Sequence, residues 1–117
     1  MEKKNLGWKH IGFAYHTTDY RYVADYKDGK WQEGYMSDSP NIVLNECAGI
    51  MQYCQEVFEG LKAYETADGR IVTFRSDLNA DRMYHSAERM EMPPFPKARF
   101  IEAVEQVVKA TEAWVPP

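Results

Sequence analysis

Three of the four residues from Pro93 to Pro96 are proline, and no regular helix can run through them. They divide two stretches of helical periodicity. Before them, Ser76 or Asp77 can cap a helix by accepting backbone N–H bonds, and Leu78, Met83, Ala87 and Met90 recur at roughly helical spacing. After them, a second helix begins near Lys97. There Phe100, Ile101, Val104, Val107 and Val108 form an i, i+1, i+4, i+7, i+8 stripe. Trp114 extends that pattern until Pro116-Pro117 stops it.

Upstream of residue 76 the period is two. Tyr20, Tyr22, Ala24 and Tyr26 fall on one side of a strand, Asp28-Gly29 is a turn signal, and Lys30 to Met36 reads as the returning strand. Asn41 to Leu44 reads as a further short strand, while residues 46–57 fit either a helical turn or a buried loop. Phe58 to Tyr64, Asp68-Gly69 and Ile71 to Phe74 repeat the hairpin pattern. Strands followed by helices predict an α+β domain: a largely antiparallel sheet of hairpins with two helices packed on one face. The last helix ends where another strand would be natural, so the sheet is expected to keep an unpaired edge and the chain to be part of a longer one.

A length of 117 residues fits one domain, 1–117, and 44% hydrophobic with 27% charged residues is ordinary globular usage. The formal charge is −4 and no basic stripe is visible, which argues against a nucleic-acid partner. The charged N-terminus leads into no apolar segment, and no window approaches the ~20 apolar residues of a membrane span. Cys47 and Cys54 lack the spacing of a zinc site and read as reduced, partly buried thiols. A cytoplasmic protein is expected.

The residues offer few catalytic constellations. Neither common Gly-rich phosphate loop is present, and His10, His16 and His85 have no motif partners, so no metal site is expected. Glu88 and Glu91 read as a solvated helix face, and Ser86 does not face its neighbour His85 on a helix. Lys62, between Leu61 and Ala63, could form a Schiff base if it lay in an apolar pocket, but the alternation puts it on the polar side of a strand. Arg82 either presents its fork to a phosphate or lies exposed and paired with Asp81 or Glu88.

Phe58-Glu59-Gly60-Leu61-Lys62-Ala63-Tyr64 resembles the FEG run of branched-chain aminotransferases, fold-type IV enzymes that use pyridoxal phosphate (PLP). Tyr53, five residues earlier, matches that family's HYG segment, and Phe74 to Met83 (FRSDLNADRM) resembles its helix start. Ser86-Ala87, the prolines after Met92 and the Lys109 to Pro117 segment also fit. The resemblance implies that Arg82 holds the PLP phosphate. It makes Tyr53 and Phe58 walls of the substrate pocket, with Phe13 as a further aromatic, and has the Gly60 backbone pass close to the substrate carboxylate. Lys62 does not match the Schiff-base lysine, which in the family lies, with the other catalytic groups, beyond residue 117. Two positions depart from the pattern: HYG reads Gln52-Tyr53-Cys54, and Ser76 replaces a common proline.

The resemblance thus implies an N-terminal small domain, inactive alone and not expected to bind PLP by itself. The longer enzyme would be a homodimer acting on leucine, isoleucine or valine and 2-oxoglutarate. The alternatives are the corresponding domain of a D-amino-acid transaminase or aminodeoxychorismate lyase, or a non-catalytic binding remnant.

Overall fold

The N-terminal half is organised by one turn. In the computed structural model, which describes residues 2–116, Asp28 and Gly29 both have positive φ, 53° and 75°. This is the type I′ arrangement whose twist suits the strands on either side. Met1 and Pro117, with the second half of the Pro116-Pro117 stop, lie outside the described residues. The turn joins β2 (Tyr26–Lys27) to β3 (Lys30–Trp31). Farther out, β1 (Arg21–Val23) pairs antiparallel with β4 (Tyr35–Ser37).

The two expected long strands are therefore each broken in two. Between the ladders, Ala24 and Asp25 face Gln32, Glu33 and Gly34, so the returning strand carries one extra residue. That is a bulge. Gln32 N still donates to Asp25 O at 2.8 Å across it. Gly34 leaves room there for Tyr22, which would have to shift for any side chain, because a Cβ would stand 1.9 Å from its hydroxyl oxygen.

The second hairpin pairs β5 (Ala63–Glu65) with β6 (Ile71–Thr73). Its first strand is shorter than the predicted Phe58 to Tyr64. Side chains engage both backbone groups of Gly60: its N–H donates to the Glu59 carboxylate, and its carbonyl accepts from Asn79. Asn41 to Leu44 forms no strand at all. It has no pairing partner, and Ile42, Val43 and Leu44 are exposed. The ambiguous stretch after it holds a short helix, α1 (Gly49–Tyr53), ending at Cys54 with φ 50°. Cys47 and Cys54 are both free and exposed rather than partly buried.

The two long helices are α2 (Ser76–Arg89) and α3 (Lys97–Ala110), on either side of the prolines. Neither Ser76 nor Asp77 caps α2. Arg75 occupies the cap in a left-handed conformation, and its guanidinium donates to Asp77 at 2.9 and 2.8 Å. Asp77 in the first turn still favours the positive end of the helix. Ala80 and Ala87 are the buried positions of α2, whereas Leu78 is exposed. The helix packs against α3, and α3 also reaches β1. Lys97 at the head of α3 ties back to Asp81 at 2.7 Å.

The proline segment is bolted to the first hairpin. Trp31 Nε1 donates to Pro94 O at 2.9 Å and its ring meets Phe95 edge-on at 4.9 Å. Trp114, expected to continue the α3 stripe, sits instead in a 3-10 segment, Glu112–Trp114. Its Nε1 donates to Asp19 at 2.8 Å, Lys4 lies over its ring at 4.0 Å, and Lys4 N donates to Ala113 O at 2.8 Å.

The architecture is α+β: two antiparallel hairpins separated by the short α1 come first, and the two long helices follow. The expected single sheet is three separate two-stranded ladders. Among the described residues, only Ala80, Ala87, Ala113 and Val115 are buried whole, backbone and side chain together. No helix among them is long and apolar enough to cross a membrane.

Candidate functional site

The FEG segment enters β5 alongside α2, and two residues of α2 grip it. Asn79 and Arg82 are three apart, hence on one helical face. Asn79 Nδ2 donates to Glu59 Oε1 and to Gly60 O, each at 3.0 Å. Arg82 Nε donates to Glu59 Oε2 at 2.7 Å, and its Nη2 donates to Oε1. The Glu59 carboxylate also accepts from Gly60 N at 3.0 Å.

Its side chain is 3% exposed while that of Arg82 is 68% exposed. A buried carboxylate needs a paired cation and further donors, and Glu59 has both. The Arg82 hydrogen bond is the main cause that brings its pKa from 4.5 to about 2, with Asn79 and the Gly60 N–H adding to it against the cost of burial. Glu59 in turn raises the pKa of Arg82.

The same segment, Glu59 included, also lines an apolar cleft of about 720 Å³. Tyr22, Trp31, Phe58, Phe95, Phe100 and Val104 are among its walls. Tyr20, Tyr22 and Ala24, expected on one side of a strand, all line it, but so does Arg21 from between them, and Tyr26 does not. Phe58 stands at the rim, 90% exposed. A Cβ on Gly60 would meet the Phe58 ring at 3.5 Å, an ordinary contact.

The residues singled out by sequence are thus partly assembled. Phe58, Gly60 and Arg82 converge through Glu59. Tyr53, at the end of α1, and Phe13 are exposed and stand outside the cleft. Arg82 pairs with neither Asp81 nor Glu88, which hold Lys97 and His85. Lys62 is exposed and Leu61 and Ala63 half-buried, as the alternation required. Glu59 and Asn79 were not anticipated. The available signal was an acid between Phe58 and Gly60 in an apolar run, which calls for a cation, and an Asn79/Arg82 pair spaced to supply donors.

A guanidinium held along one edge suits an anion on the other. Nη1 of Arg82 donates to nothing among the described residues, and the side chain faces solvent. The donor chemistry therefore fits a phosphate.

No family model matches the chain. Curated relatives do. A branched-chain-amino-acid aminotransferase of Haemophilus influenzae is 44% identical over 97% of this chain and 33% of its own length. Branched-chain-amino-acid aminotransferase 1, mitochondrial, of Arabidopsis thaliana is 44% identical over 99% of the chain and 30% of its own length. The methionine aminotransferase BCAT4 of the same plant is 42% identical over 97% and 32%. The chain spans about a third of the length of the curated relatives it matches.

The fold is an α+β unit, and its sequence is similar to that of aminotransferases along about a third of their length. More narrowly, nearly the whole chain is similar to branched-chain aminotransferases, so the resemblance seen in FEGLKAY extends across it.

Proposed function

We propose that residues 1–117 form a single domain, the N-terminal region of a PLP-dependent branched-chain aminotransferase that works as a homodimer. The enzyme moves an amino group between leucine, isoleucine or valine and 2-oxoglutarate. The observation that carries this reading is an Arg82 guanidinium braced against the FEG glutamate, in a chain 44% identical to such an enzyme over 97% of its length.

PLP, when bound, supplies an electron sink for the amino acid's α-carbon. Arg82 holds its phosphate by charge-assisted hydrogen bonds. Phe58 at the cleft supplies the aromatic wall against which an aliphatic side chain is buried, and Tyr53 and Phe13, outside the cleft in residues 1–117 alone, join it in the assembled enzyme. Each methylene so buried is worth about 0.8 kcal/mol, enough to favour branched over small side chains. Gly60 leaves room beside Phe58 for the substrate carboxylate. The Schiff-base lysine of the family has no match in residues 1–117, so this region binds and sorts but does not turn over alone.

The test is transamination of 2-oxoglutarate by the native protein with PLP, using leucine, isoleucine, valine, methionine and D-alanine as donors. Methionine is included because one relative is named for it. Activity with the three branched donors and none from residues 1–117 alone is expected. Preference for methionine or D-alanine would overturn the substrate assignment, and turnover by residues 1–117 alone would overturn the division of labour.

A further inference from the structure

The two members of the Glu59–Arg82 pair are held very differently. The carboxylate is 3% exposed and accepts from Asn79 and from the Gly60 N–H besides Arg82. The guanidinium is 68% exposed and its hydrogen bonds among the described residues all go to Glu59. The carboxylate is therefore the fixed member and the guanidinium the one being oriented. Glu59 takes the Nε and Nη2 positions, which leaves Nη1 and the remaining Nη2 hydrogen together on the outer edge. That edge matches two oxygens of a phosphate.

We propose that Glu59 is a positioning residue: braced by Asn79 and the Gly60 amide, it fixes the plane of the Arg82 guanidinium so that its outer edge is preset for the cofactor phosphate. The inference rests on Arg82 being the phosphate ligand, as proposed above. Because Glu59 also offsets the Arg82 charge, its contribution lies in orientation rather than in attraction. Without it, a long exposed side chain must be ordered at the moment of binding.

Equilibrium binding of PLP and of pyridoxal, which lacks the phosphate, to the native full-length protein separates the possibilities. In Glu59→Gln, PLP affinity is expected to fall about ten- to a hundredfold, the usual range for a lost hydrogen bond to a charged group, with pyridoxal affinity unchanged. Asn79→Ala should shift the PLP-to-pyridoxal ratio the same way but less, and Arg82→Ala should abolish it. If Arg82→Ala keeps the wild-type ratio, the phosphate role of Arg82 fails and the proposal with it. If Arg82→Ala loses the ratio but Glu59→Gln retains it, the positioning role alone is overturned. Should circular dichroism show that Glu59→Gln does not fold, Asn79→Ala decides: a reduced ratio supports the role and an unchanged one refutes it.

Discussion

Glu59 illustrates how a single acid reports on its surroundings through pH. Its folded pKa is about 2 against an ordinary 4.5, with Arg82 as the leading cause. A depressed carboxylate stabilises the fold fully above its unfolded pKa and loses that contribution as pH falls through the folded value. The stability difference between wild type and Glu59→Gln should therefore be constant above about pH 5 and shrink between about pH 4.5 and 2. Urea midpoints at pH 7, 4 and 2.5 measure this. At neutral pH the substitution should cost about 1–2 kcal/mol, because the carboxylate is buried while its cation is exposed to screening solvent. An unchanged difference down to pH 2.5 would show that the pair does not couple to folding. The resemblance singles out Arg82 in the sequence, but the partner the structure gives it lies 23 residues away, beyond the reach of local spacing.

At the level of elements, glycines set the geometry of the first hairpin. Gly29→Ala should cost about 1–2 kcal/mol, since φ of 75° puts a Cβ against the following carbonyl. Gly34→Ala should cost about 1–3 kcal/mol by driving Tyr22 from its place over the bulge. Both are read as shifts in thermal midpoint. Tyrosine fluorescence or near-UV circular dichroism should change in the second and not the first, because only Gly34 touches Tyr22. A Gly34→Ala protein as stable as wild type would remove the bulge as a constraint.

The Asp28-Gly29 turn and the prolines were readable because each forbids most alternatives. The bulge was not, since a one-residue excess shows only once strands pair. The Asn41 to Leu44 strand failed for a related reason: β-propensity describes fit to a neighbouring strand, and none is there. In α2 the stripe held at Ala87, but Leu78 is exposed and the small Ala80 is buried instead.

For the molecule as a whole, the balance of surface is unusual. Its radius of gyration is 15.9 Å, against about 13 Å for a compact domain of ~100 residues. No apolar residue larger than valine is buried among the described residues, while Phe13, Val43, Tyr53, Phe58 and Phe74 stand largely in solvent. Apolar surface on this scale calls for cover. Residues 1–117 alone should associate, with an apparent mass in light scattering that rises with concentration to a dimer or beyond. A strict monomer at high concentration would count against the homodimer proposed above.

The Lys4–Asp19–Trp114 contact has a consequence for how the polypeptide opens. Because Lys4 donates its amide to the Ala113 carbonyl and its ammonium to the same carboxylate that the Trp114 indole engages, loosening one end releases the other. Fraying is thereby a joint event, and deuterium uptake at the first residues should keep step with indole emission from the far end of the sequence.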